Sequence, residues 1–186
     1  MKENQFSVYK LCAIGVMAAL IYVVTFFRFP FLGSKVHFAN ALCLLSGLLF
    51  GPVTGGLAAG LGSGLYDSLA GGYDIVQALI TFVSKFAMAW LCARMLGKAE
   101  QPAKPRIAIA CTTGALSYVA LYMLKTFIYQ RFVYGYPGDA VWATMLSKLP
   151  ASLINALFAV IAAPILFLAL KPALKRAGIL DHLAMR

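Results

Sequence analysis

Twelve residues carry side chains able to bind a small polar ligand while lying in or beside strongly apolar stretches: His37, Asn40, Tyr66, Asp67, Asp74, Gln77, Lys85, Lys125, Tyr129, Trp142, Lys148 and Asn155. Polar groups in apolar spans are costly, so their presence points to function. The chemistry they offer is recognition. Carboxylates, ammoniums and amides supply hydrogen bonds, while these tyrosines, with Tyr73, Tyr118, Tyr122, Tyr134 and Tyr136, offer flat apolar walls to a planar ligand. The competing reading is an aromatic belt with snorkelling charges. Lys85 is different: it lies roughly 15 Å, by helical rise, from the start of its segment, too deep to snorkel. It must face protein or water, through either an ion pair with an acidic neighbour or a ligand contact.

Catalytic constellations are missing. The chain has no HExxH or GxSxG and no two carboxylates in one helix, and His37 and His182 fall on segments assigned to opposite membrane sides. Gly62 and Gly64 precede no GK[ST], so no phosphate loop is expected. Cys12, Cys43, Cys92 and Cys111 lack CxxC spacing and read as small buried hydrophobes, neither disulfides nor a zinc site. No enzyme, metal or bound cofactor is expected. Asp67 and Asp74, flanking Gly71-Gly72, suggest a ligand presenting N–H donors or an amine, such as a nitrogen-rich heterocycle; alternatively Lys85, Lys125 or Lys148 neutralises them internally.

The elements that must position these groups are membrane helices. Of 186 residues 62% are hydrophobic and 12% charged, against roughly 25% charged in soluble domains. Residues 11–27, 36–66, 107–124 and 149–170 contain no Asp, Glu, Lys or Arg, reaching the roughly 17–25 residues that cross a bilayer core. The longest run breaks at Gly51-Pro52, where proline opens a new helix. Six helices follow, over about 7–27, 37–50, 52–70, 75–96, 107–130 and 146–170, in a single six-helix transmembrane domain spanning 1–186. The N-terminus lacks the marks of a cleavable signal, so the first apolar stretch is expected to stay.

The net charge of +10 is topology rather than nucleic-acid binding. Lys2, Lys10, Arg94, Lys98, Lys104, Arg106, Lys171, Lys175, Arg176 and Arg186 gather on one side; the interior and the other side hold Arg28, Lys35, Lys85, Lys125, Arg131 and Lys148. By the positive-inside rule both termini are cytoplasmic. Gly47, Gly51 and Gly55, then Gly56, Gly60 and Gly64, recur every fourth residue and read as internal helix packing, with a moving or partner-facing surface as the alternative. Gly15, Ala18 and Ala19 form a smaller face on the first helix, for internal packing or for docking a second membrane protein. No repeat relates the two halves, which disfavours a duplicated carrier.

The stretch VHFANALCLLSGLLFGPVTGGLAAGLGSGLYDSLAGGYD and the later SKLPASLINALFAVI, within six helices, resemble the substrate-binding S components of energy-coupling factor (ECF) vitamin transporters. The resemblance implies a prokaryotic plasma-membrane protein that captures a small heteroaromatic micronutrient on the outer face, of riboflavin, pyridoxine, hydroxymethylpyrimidine or queuosine type. It also implies partners: a transmembrane coupling protein, docked on Gly15, Ala18 and Ala19, and two cytoplasmic ATPases that use the ATP. The loop from Phe29 to Val36 would be a gate. A structural or signalling membrane protein without transported ligand, and a self-contained small carrier or channel, are the competing classes.

Overall fold

The computed structural model describes residues 8–31, 34–97, 99 and 102–180. Lys2, Lys98, His182 and Arg186 lie outside them. Among the described residues are six α-helices: α1 Val8–Phe26, α2 Ala39–Phe50, α3 Pro52–Leu69, α4 Ile75–Leu96, α5 Lys104–Ile128 and α6 Gly138–Arg176. A π-helical turn, Tyr129–Val133, extends α5. Between α1 and α2 stands an element that the apolar pattern did not anticipate, a hairpin of β1 Arg28–Phe31 and β2 Ser34–His37.

Local chemistry explains the boundaries. Gly51 adopts φ 81°, a conformation open to glycine, and Pro52 opens α3 at its first turn, so α2 and α3 meet with no loop between them. Asp74 caps α4 by accepting the Gln77 N–H at 2.9 Å. The last helix begins at Gly138 rather than near Leu146, after Pro137 and with Asp139 in its first turn, both favourable at a helix N-terminus.

Four helices, α1, α4, α5 with its extension, and α6, are long and apolar enough to cross a membrane. At 12 residues α2 spans only about 18 Å, against a bilayer core of about 30 Å. It forms the centre of the bundle instead. Nine of its residues are buried, and it packs on α1, α3, α4, α5 and α6.

The glycine ladder is internal packing. A Cβ on Gly56 would meet the Phe86 ring at 2.8 Å and one on Gly60 the Phe82 ring at 2.9 Å, while Gly64 faces Ala78 and Phe82. That descending order shows α3 and α4 antiparallel in close register. Gly47 lies against Ala89 of α4, and a Cβ on Gly62 would meet the Ala18 carbonyl of α1 at 2.5 Å. Ala18 is thus packed against α3, in line with the internal-packing alternative for this position. Gly15 has nothing within 4 Å of a Cβ, and both it and Ala19 are exposed. Cys43, Cys92 and Cys111 are buried as expected, whereas Cys12 is exposed beside Gly15 on the same face.

Candidate ligand-binding site

Each helix contributing to the site carries a polar stripe at helical spacing: Ser63, Tyr66 and Asp67 on α3; Thr81 and Lys85 on α4; Tyr118, Tyr122 and Lys125 on α5; Lys148, Ser152 and Asn155 on α6. Spacings of three and four put each set on one face. The bundle turns these faces inward around a cavity of about 370 Å³, with Thr25 and Tyr73 completing the wall.

The hairpin covers it. In the antiparallel register Arg28 pairs with His37 and Pro30 with Lys35, and all four line the cavity. The intervening Phe29 and Phe31 are exposed, as strand alternation requires. The Asn155 amide ties this lid to α6: its Oδ1 accepts the His37 backbone N–H at 2.9 Å, and its Nδ2 donates to the Lys35 carbonyl at 2.8 Å. It acts as a one-residue partner for the free edge of β2.

Lys85 is only 3% exposed. Its ammonium donates to Asn40 Oδ1 and lies 3.6 Å from the centre of the Tyr118 ring. Neither partner is a carboxylate, so the ion pair considered from the sequence is replaced by an amide dipole and a π face. A desolvated cation–π contact of this kind contributes about 2 kcal/mol. Lys125 reaches the Gln77 carbonyl and Thr81 Oγ1, both at a long 3.4 Å, and lies 5.4 Å from the Tyr73 ring centre. Lys35 lies 6.0 Å from the same ring and Arg28 5.2 Å from that of Tyr66. Tyr66 is 2% exposed and held edge-on by Tyr22 and Phe26. Tyr118 and Tyr122 are nearly parallel, 6.2 Å apart.

Of the residues singled out from the sequence, His37, Tyr66, Asp67, Lys85, Lys125, Lys148 and Asn155 converge on the cavity, and Asn40 joins through Lys85. Four do not reach it. Asp74 is exposed and engaged by the backbone and side chain of Gln77 at 2.9 and 2.8 Å, which holds its carboxyl below the usual range. Gln77 is committed to that cap. Tyr129 lines a separate apolar cleft between α4 and α5, beside Leu79, Val83 and Leu124, and Trp142 is 60% exposed. Of the two acids, Asp67 therefore lines the cavity, while helix capping takes Asp74. Thr25, Ser63, Thr81 and Ser152 were missed. For Ser63, Thr81 and Ser152 the signal was the i, i+4 spacing to Asp67, Lys85 and Lys148, hidden because hydroxyls count as neutral in an apolar tally; Thr25 has no such neighbour.

His37 brings a testable pH dependence. Burial first, then Lys85, Arg28 and Lys35, push its pKa down from 6.5 to about 3, and its Nδ1 is buried without a hydrogen-bond partner among the described residues. Below about pH 6.5 the unfolded chain takes up a proton that the folded one refuses. Stability is therefore complete above that pH and falls toward pH 3, by up to about 1.4 kcal/mol per unit. Melting temperatures in detergent between neutral pH and pH 4.5 should fall less steeply in His37→Gln than in the parent. Identical slopes would show that His37 does not titrate this way.

A lidded polar cavity inside an apolar helical bundle defines a ligand-binding membrane protein, and among the described residues no His/Cys/Asp/Glu group could hold a metal. The family model of the ECF-type riboflavin transporter, S component, matches residues 5–172, and the chain belongs to that family. It is a family of transporter substrate-binding components, not of enzymes. The fold is similar to a solved structure described as "Structure and mechanism of the S component of a bacterial ECF transporter", with a TM-score of 0.69 at 20% identity, covering 90% of this chain and 98% of that one. No curated protein matches the chain significantly.

Proposed function

We propose that this S component captures a small heteroaromatic micronutrient from outside the cell and hands it to an ATP-driven ECF module, a transmembrane coupling protein with two cytoplasmic ATPases. The observation that carries the reading is the cavity of about 370 Å³ beneath the hairpin, within the roughly 300–1,000 Å³ of small-molecule sites. Its walls combine tyrosine rings with convergent hydrogen-bonding groups. Riboflavin-type ligands are favoured by the family's description; pyridoxine, hydroxymethylpyrimidine and queuosine types share the flat ring that such walls suit.

All six helices lie within the prokaryotic plasma membrane in this reading, with the short α2 buried at the centre of the bundle. Both termini are cytoplasmic. Support comes from Lys10, Arg94, Lys104, Arg106, Lys171, Lys175 and Arg176, which fall at the helix ends opposite the lid. Gly15 and Ala19 remain as the docking face toward the coupling protein; Ala18 does not.

Mass spectrometry of the detergent-purified chain should find a stoichiometric aromatic compound. A ligand-free, self-oligomerising protein would favour a structural role instead. The orientation is checked by a Lys104→Cys variant lacking the native cysteines: an impermeant maleimide should not label it in intact cells, and rapid labelling would move the cavity to the cytoplasmic side.

A further inference from the structure

Six basic residues belong to the membrane interior or the lid side, Arg28, Lys35, Lys85, Lys125, Arg131 and Lys148. All but Arg131 line the cavity. Cations that only snorkelled would spread around the perimeter toward headgroups; these converge from the hairpin, α4, α5 and α6 on one volume. A single carboxylate, Asp67, stands among the lining residues with these five basic side chains, and His37 is held neutral.

The protein groups around these cations are dipoles and rings, which stabilise charge without cancelling it. Lys85 is held deep in the site by Asn40 and Tyr118. Lys35 and Lys125, by contrast, flank the Tyr73 ring at 6.0 and 5.4 Å, and Lys148 lies within electrostatic reach of Lys125. Asp67 lies within electrostatic reach of Lys35, Lys85 and Lys125. Burial first, and then repulsion from Arg28, disfavours the charge on Lys35, and a bound anion would offset both.

We propose that the ligand of this cavity carries an anionic group, a carboxylate or a phosphate monoester, held by Lys35, Lys125 and Lys148 while its ring lies against the tyrosines. The proposal rests on the capture function above and specifies its ligand class, in place of the amine-bearing heterocycle that two acids in one site would have selected. Lys35 rides on the hairpin and the other two lysines on α5 and α6, so one anion bridging them also fastens the lid.

The test uses ligand-stripped protein in neutral detergent and three matched pairs of probes: riboflavin and its 5′-phosphate, pyridoxine and its 5′-phosphate, and nicotinamide and nicotinate. The first two pairs report a phosphate and the third a carboxylate. Calorimetric titration should show the anionic member of at least one pair binding about tenfold or more tighter than its neutral twin, the equivalent of about 1.4 kcal/mol. The preference should shrink at high salt. It should also vanish in Lys35→Gln/Lys148→Gln, with an unchanged melting temperature showing that the variant is folded. Equal or tighter binding by the neutral twin in every pair would overturn the proposal, as would no binding by any anionic probe. A neutral compound that co-purifies and rebinds overturns the anionic class but leaves capture intact, whereas no co-purifying compound together with no binding of any probe, anionic or neutral, removes both.

Discussion

Cells expressing this chain together with an ECF coupling protein and its ATPases will accumulate the co-purifying compound, and cells expressing the chain alone will not. The chain supplies a cavity, while the energy source lies in partners. Within such cells, replacing Gly15 or Ala19 by Trp should reduce uptake by two orders of magnitude or more while leaving binding to the purified chain within about twofold. The reason is geometric: both residues are exposed on α1, with nothing within 4 Å of a Cβ on Gly15. Where helices associate in lipid, small residues let backbones approach, and a large ring there keeps a partner helix away. Binding that falls in parallel with uptake would mean that this face supports the bundle itself. Uptake by the chain alone would remove the coupling module from the mechanism.

A second large effect is expected one helix-width away. Gly62→Leu should cost at least about 3 kcal/mol, the upper end of overpacking penalties, or prevent accumulation of folded protein altogether. A Cβ on Gly62 would lie 2.5 Å from the Ala18 carbonyl and 2.9 Å from Ile21 Cβ. The nearest obstacle is the Ala18 carbonyl of the α1 backbone, which cannot rotate away as a side chain can. Gly15→Leu on the outer side of the same helix is the control and should change the melting temperature little. Comparable losses in both would mean that α1 is sensitive to any added bulk. A tolerated Gly62→Leu would show that α1 and α3 can separate, making their contact a moving surface rather than a fixed one.

The contrast between these two glycines shows where sequence reading reaches its limit. Both sit in small-residue patterns and look alike in one dimension. Gly15 faces outward and Gly62 inward because α3 packs against one side of α1, a fact of the assembled bundle. The same holds for Ala18, next to Ala19 in sequence yet 7% exposed and covered by α3. Helix one is apolar around its whole circumference, so hydrophobic patterning alone had no way to separate its lipid side from its protein side.

What the chain determines by itself is set by solvation and local backbone chemistry. Uncharged runs of bilayer length, the glycine and proline at 51 and 52, and the basic clusters at alternate segment ends specify the helices and their expected direction, because each acts through its immediate surroundings. Polar residues in apolar helices are legible for the same reason: their burial is costly wherever they go. Which of them share a site is a different matter. Asp74 and Asp67 are seven positions apart, yet one caps a helix and the other lines the cavity. The hairpin was hidden by Pro30, which argues against a central strand but is tolerated in a two-stranded edge. The cavity's excess of positive charge exists only once the hairpin, α4, α5 and α6 bring distant lysines together. Tertiary packing decided it, because Coulomb interactions follow distance in space, and a linear sequence records only separation along the chain.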